Sequence, residues 1–288
     1  VYVTANILAH NQDLPGVEAY FEELKEVGPD ALIISDPGVF EIAKRVLPDT
    51  ELHVSTQANN TNYGTYLFWN RMGAKRVVSA RELSLAEIKE IRSHIPDDME
   101  IESFIHGAMC ISYSGRCLLS NYLAGRDANQ GACTHPCRWK YSIVEEKRPG
   151  EYMPVFENER GTYIFNSKDL CMIEHMDDII NSGIDSLKIE GRMKTALYVA
   201  TVARTYRKAI DDYMESPEKY QANMHGTRNR FPTVPTDSLQ PDSSMENRMR
   251  IHRFMIIILI RRNIRIWDLL RQWMNGVMRR SLREINSL

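Results

Sequence analysis

Apolar residues in the first two hundred positions switch repeatedly between two rhythms, short runs of period two and longer stretches of period 3.6. Residues 1–6, 31–35, 51–56, 74–79, 100–106, 163–166 and 186–192 read as strands. Between them, apolar positions at helical spacing predict a helix opening at Asp13 and helices over 37–46, 63–72, 84–93, 168–181 and 196–213. Strands that alternate with helices predict parallel βα units.

The two faces of these strands differ. Tyr2, Thr4 and Asn6 share one face, as do His53, Ser55 and Gln57, then Glu102 and His106, then Lys188, Glu190 and Arg192. Val1, Val3, Ala5, Leu52, Val54, Leu187 and Ile189 lie opposite. A doubly wound sheet covers both faces with helices and needs both apolar, whereas a barrel can turn polar groups inward near its mouth. The pattern therefore predicts an α/β fold of the TIM-like (β/α)8 barrel type over residues 1–223. The run falls short of eight units, so the barrel is expected to be incomplete, lacking its first two. Active sites in such barrels lie at the carboxyl ends of strands, which brings forward Asn6, Gln57, His106 and Arg192.

From about Met224 the alternation stops. The chain of 288 residues carries a formal charge of −2, but residues 225–288 hold twelve arginines, no lysine and five acids. Met255 to Ile260 is an apolar run beside Arg261 and Arg262, and a set of codons exists for which a shifted reading frame turns it into ordinary soluble sequence. Residues 224–288 are accordingly expected to be frameshifted or disordered. The alternative is an amphipathic membrane or nucleic-acid helix, since Ile264, Trp267, Leu270 and Met274 recur at helical spacing. No run approaches eighteen apolar residues, so no membrane-spanning helix is expected.

All five cysteines, Cys110, Cys117, Cys133, Cys137 and Cys171, fall within residues 110–171, and the long flanks hold none. The odd number and the cysteine-free flanks argue against a disulfide scaffold and for a reducing compartment, the cytoplasm, where clustered thiols serve as ligands or redox groups. The spacing C-x6-C-x15-C-x3-C-x33-C matches neither the paired knuckles of structural zinc nor the ferredoxin runs. It predicts a cysteine-rich segment over residues 107–171, inserted in the barrel, that binds a metal or cluster.

The stretch Glu102-Ser-Phe-Ile-His-Gly-Ala-Met-Cys110-Ile-Ser-Tyr-Ser-Gly-Arg-Cys117-Leu-Leu-Ser120 resembles the signature of the collagenase-like peptidase family U32, E-x-F-x2-G-[SA]-hydrophobic-C-x4-G-x-C-x-hydrophobic-S. The likeness continues through Gly125 to Gly131, Cys133 to Tyr141, Asn166 to Leu170 and Leu187 to Arg192, and is nearest to the family's tRNA-hydroxylation branch. It implies a barrel enzyme with a 4Fe-4S cluster that acts with prephenate in 5-hydroxylation of the tRNA wobble uridine. By position it implies the ligands Cys110, Cys117, Cys133 and Cys171, with Cys137 competing for the fourth place.

Glu102, His106 and Glu190 are acid–base candidates, and the alternative for them is a buried ion-pair network with Lys188. Asn6, Gln57, Arg126, Lys168 and Arg192 are substrate-binding candidates, because arginine forks hold phosphate or a dicarboxylate such as prephenate. Arg116, Arg138, Trp139 and Lys140 add basic and aromatic groups suited to tRNA. The family name raises proteolysis as a second reading, with His106 and Cys110 as an imaginable pair; neither H-E-x-x-H nor G-x-S-x-G occurs. An inactive tRNA-binding fragment is the third.

Overall fold

The computed structural model describes residues 1–110, 112–138, 142–143, 147, 149–150, 153–154, 169–191, 194–228 and 256–259. The strand expected at 163–166, the candidates Lys168 and Arg192, and nearly all of the tail lie outside them. The described chain runs β1 (Tyr2–Ala5), α1 (Leu14–Val27), β2 (Ala31–Ile34), α2 (Pro37–Val46), β3 (Glu51–Val54), α3 (Tyr63–Met72), β4 (Arg76–Val78), α4 (Leu85–His94), β5 (Glu100–Ala108) and α5 (Leu119–Ala124). It continues with the short pair β6 (Ser142–Ile143) and β7 (Met153–Pro154), then β8 (Asp169–Cys171), α6 (Met176–Ile180), β9 (Ser186–Ile189), α7 (Ala196–Glu215), α8 (Pro217–Arg228) and β10 (Ile256–Leu259).

Six strands pair in parallel in the order β1-β2-β3-β4-β5-β9. The order never reverses among them, unlike the two-way growth of a doubly wound sheet. Helix starts follow from local chemistry. The Asp36 carboxylate accepts from the Gly38 and Val39 N–H groups with Pro37 in the first turn of α2, and Ser84 and Glu87 form a reciprocal cap on α4. The covered side of the sheet meets Phe21, Phe40, Val202 and Tyr206, all fully buried.

The other face carries polar layers, as the strand alternation predicts. Tyr2 packs edge-on against His53, and the Arg76 guanidinium lies 5.5 Å from the Tyr2 ring centre. Arg76 donates to Glu100 at 2.8 Å and to Glu102 at 3.2 Å, while Lys188 and Ser186 each donate to Glu102 at 2.8 Å. Two cations and two carboxylates thus neutralise one another inside the fold, which is what charge burial demands.

Two expectations are corrected. The stretch 168–181 is not one helix: β8 occupies its start, a 3-10 turn covers Ile173–His175, and only α6 is α-helical. The cause is β5, which runs nine residues against three in β4 and four in β9, so its end would expose unpaired backbone groups. β8 pairs antiparallel with that end, setting His106 against Cys171 and Ala108 against Asp169.

The second correction concerns His106, which alternation puts on the face of Glu102. The register sets Phe104 beside Lys188 but His106 beside Ile189, so two steps on β5 match one on β9. This bulge turns His106 to the opposite face, against α7. There Tyr206 donates to the Ile105 carbonyl at 2.9 Å and accepts from the Met172 N–H at 3.0 Å. Facing that hydroxyl, His106 Nδ1 is assigned the proton, and Nε2 accepts from Tyr198 at 2.9 Å.

Candidate functional site

A cavity of about 480 Å³ opens where the parallel strands end. Asn6 follows β1, Ser55 and Gln57 follow β3, Arg81 follows β4, Ala108 closes β5, and Lys188 and Glu190 come from the end of β9. The cysteine segment forms the remaining wall, contributing Cys110, Cys117, Cys133 and Cys137. Loop contacts fix that wall. Asn129 accepts from the Leu8 N–H at 3.0 Å and donates to the Leu8 carbonyl at 3.3 Å, tying the segment to the β1–α1 loop. Ser120 accepts from the Thr134 N–H at 3.0 Å, and His135, with φ of 56°, reverses the chain between Cys133 and Cys137.

None of the five cysteines is in a disulfide. Burial of its sulfur pushes the Cys110 thiol up; Arg81 opposes this, while the neighbouring Cys133 and Cys117 add to it. The partner of Cys110 is Arg81, whose Nη1 donates to Sγ at 3.1 Å. A guanidinium cannot take the thiol proton, so the contact does not make a nucleophile–base pair. His106 does not line the cavity, which removes the geometry imagined for proteolysis.

Cys171 stands apart from the other four. It does not line the cavity; its sulfur lies 4.0 Å from the Tyr206 hydroxyl, and burial first, then Cys171, drives that hydroxyl's pKa far up. Among the described residues, no three His, Cys, Asp or Glu side chains stand close enough to hold a single metal ion. Four thiols around one cavity nonetheless offer the donor chemistry of an iron–sulfur cluster, whose ligands are thiolates.

The acid–base candidates separate. Burial pushes the fully buried Glu102 carboxyl up, but Lys188, Arg76 and the hydrogen bond from Ser186 outweigh it and hold the pKa below its usual value. Glu102 therefore belongs to the neutralised network, does not line the cavity, and has no oxygen free for a substrate proton. Glu190 does line it, and its Oε2 accepts from the Ala108 N–H at 3.3 Å. Asn6 and Gln57 reach the cavity, whereas Arg126 is exposed outside its lining. Sequence reasoning missed Arg76 and Arg81. The signal for Arg76 was a lone charge in the strand Arg76–Val78; Arg81 lies in a turn, where no periodicity marks it.

A parallel α/β sheet with a cysteine-walled cavity at its carboxyl ends defines the class, and the sequence comparisons give the family. Peptidase family U32 matches residues 1–236. The tRNA hydroxylation protein P of Escherichia coli is 46% identical over 250 residues, covering 73% of this chain and 55% of its own. The tRNA hydroxylation protein P1 of Bacillus subtilis is 46% identical over 220 residues, covering 76% and 51%. The 23S rRNA 5-hydroxycytidine C2501 synthase of E. coli is 34% identical over 215 residues, covering 75% and 31%. The chain belongs to peptidase family U32. It spans about half the length of these two tRNA hydroxylation proteins.

Proposed function

We propose that the cavity is the reaction chamber of an iron–sulfur enzyme that hydroxylates RNA, with prephenate-dependent 5-hydroxylation of the tRNA wobble uridine as its reaction. The observation that carries this reading is the wall of four cysteines at the carboxyl ends of parallel strands, in a chain whose relatives are named for tRNA and rRNA hydroxylation. The six strands are then an arc of a (β/α)8 barrel, consistent with their unreversed order and the polar layers on one face.

Cys110, Cys117 and Cys133 would hold a 4Fe-4S cluster. Cys137 is favoured as the fourth ligand by its place on the same wall, and Cys171 by the resemblance to the family. The cluster supplies one-electron chemistry. Around it Asn6 and Gln57 offer hydrogen bonds to a ligand, and Glu190 is the carboxylate placed to move a proton. Arg192 is assigned to substrate from its place at the end of the strand expected over 186–192 and from its fork, and Lys168 from its place in the matched stretch Asn166 to Leu170. RNA would approach past Arg116 and Arg126, both exposed, beside the exposed Tyr113 and Tyr122.

Anaerobic purification with iron and sulfide analysis, together with mass spectrometry of tRNA incubated with prephenate, tests the reading. About four irons and four sulfides are expected from the cluster type, lost in Cys110→Ala and in either Cys137→Ala or Cys171→Ala, which identifies the fourth ligand. An iron-free wild-type chain and unmodified tRNA would overturn the proposal.

A further inference from the structure

Arg81 is held by its surroundings more firmly than a surface arginine. The turn that carries it is pinned on both sides: Thr56 donates to the Ser79 carbonyl at 3.1 Å, the Ala80 N–H donates to the Asn60 carbonyl at 3.1 Å, and the Ser84–Glu87 cap follows. Its guanidinium carbon lies 4.1 Å from the centre of the Phe104 ring, a cation–π arrangement that fixes the plane of the fork. One corner, Nη1, donates to Cys110 Sγ. Nε is buried with no acceptor, and among the described residues none accepts from Nη2.

The other long cation on the cavity wall is already committed. Lys188 is 3% exposed and its Nζ donates to Glu102. Among the described residues, Arg81 is thus the long cation of the wall with donors left over, oriented by a ring and adjacent to a thiol. With Nε enclosed by protein and Nη1 on Cys110, Nη2 is the donor left for a ligand, and a charge-assisted bond to a carboxylate oxygen is what it can offer. The cavity volume is in the range that encloses a small organic molecule.

We propose that Arg81 anchors the carboxylate of a small acidic ligand and holds it beside the Cys110 thiol. This deepens the proposed function and rests on reading the cavity as a reaction chamber. Arg81 touches the ligand, and through the shared guanidinium it fixes how far the ligand stands from the cysteine wall.

The test is isothermal titration of the anaerobically purified full chain with prephenate, with phenylpyruvate and with inorganic phosphate. Wild type, Arg81→Lys and Arg81→Gln are compared at matched iron and sulfide content. Prephenate is expected to bind wild type and to lose about 10- to 100-fold in affinity in Arg81→Gln, the size of a charge-assisted bond. Arg81→Lys keeps the charge but not the fork and is expected to fall between. Undiminished prephenate binding by Arg81→Gln overturns the proposal, as does a wild type that binds neither carboxylate or binds phosphate equally well. Arg81-dependent carboxylate binding without RNA hydroxylation would sink the proposed function and leave this inference standing.

Discussion

His53 is 1% exposed and its Nε2 faces the Glu51 carboxylate at 3.2 Å, while Nδ1 is buried without a partner. An imidazole that lacks a partner on one nitrogen is cheaper to bury neutral than charged. Burial first, then the Arg76 charge, lower its pKa to about 4 against an ordinary 6.5, despite Glu51 and Glu102 pulling upward. The unfolded chain therefore binds the proton first as pH falls, and this group's contribution is complete above pH 6.5 and lost between 6.5 and about 4. The loss amounts to about 3 kcal/mol. Urea unfolding of wild type and His53→Gln across that range is expected to give a shallower acid slope in the variant; identical slopes would place the titration elsewhere. Glu102 admits a similar test. Removing its charge leaves Arg76 with Glu100 alone and takes away the carboxylate that Lys188 faces, so Glu102→Gln is expected to lower stability by about 3–5 kcal/mol. A stable but inactive Glu102→Gln would instead return Glu102 to catalysis.

At the scale of elements, the junction of β5, β8 and β9 controls where the cysteine segment departs. Gly107 sits there with φ of 108°, and a methyl group on it would lie 2.3 Å from the Glu190 carbonyl oxygen, which the backbone of β9 cannot withdraw. Gly107→Ala is expected to cost about 3 kcal/mol from overpacking and left-handed strain, and to disturb Glu190 in the cavity. Gly125→Ala, at φ of 62° with nothing within 4 Å of the added carbon, is the control and is expected to cost about 1 kcal/mol. Equal melting temperatures for the two variants would refute the close approach. This junction is also where the sequence was least legible. Helices α2 and α3 fall where their caps and apolar spacing put them, because Asp36-Pro37 and Asn62 act within a few residues. β8 was read as helix because its partner lies some sixty residues away, and no local pattern announces a strand made to cover another strand's end. Alternation likewise cannot foresee a bulge, so His106 was assigned to the wrong face while Tyr2, His53, Glu102 and Lys188 were grouped correctly. The cysteine wall was legible in part: spacing and resemblance singled out the thiols, and only the fold set Cys137 beside the first three and Cys171 against Tyr206.

Over the whole chain, charge is distributed in a way that bears on the proposed RNA substrate. The formal total is −2, yet no acidic residue occurs between Glu102 and Asp127, the stretch that carries two cavity cysteines and the exposed Arg116 and Arg126. Tyr122 is 87% exposed in the same stretch. A polyanion would be drawn to the acid-free segment, and an exposed ring offers a face on which an unpaired base can stack. The two contributions separate in solution. Binding of a tRNA anticodon stem-loop, followed by fluorescence anisotropy from low to moderate salt, is expected to weaken linearly in log–log form. Each of Arg116→Ala and Arg126→Ala is expected to reduce that slope by about 0.7, the value for one single-strand phosphate contact. Tyr122→Ala is expected to weaken binding by about 1–3 kcal/mol with the slope unchanged, because stacking releases no counterions. Arginine variants that keep the wild-type slope would mean that RNA does not cross this segment, and the route to the cavity would then have to pass another face of the protein.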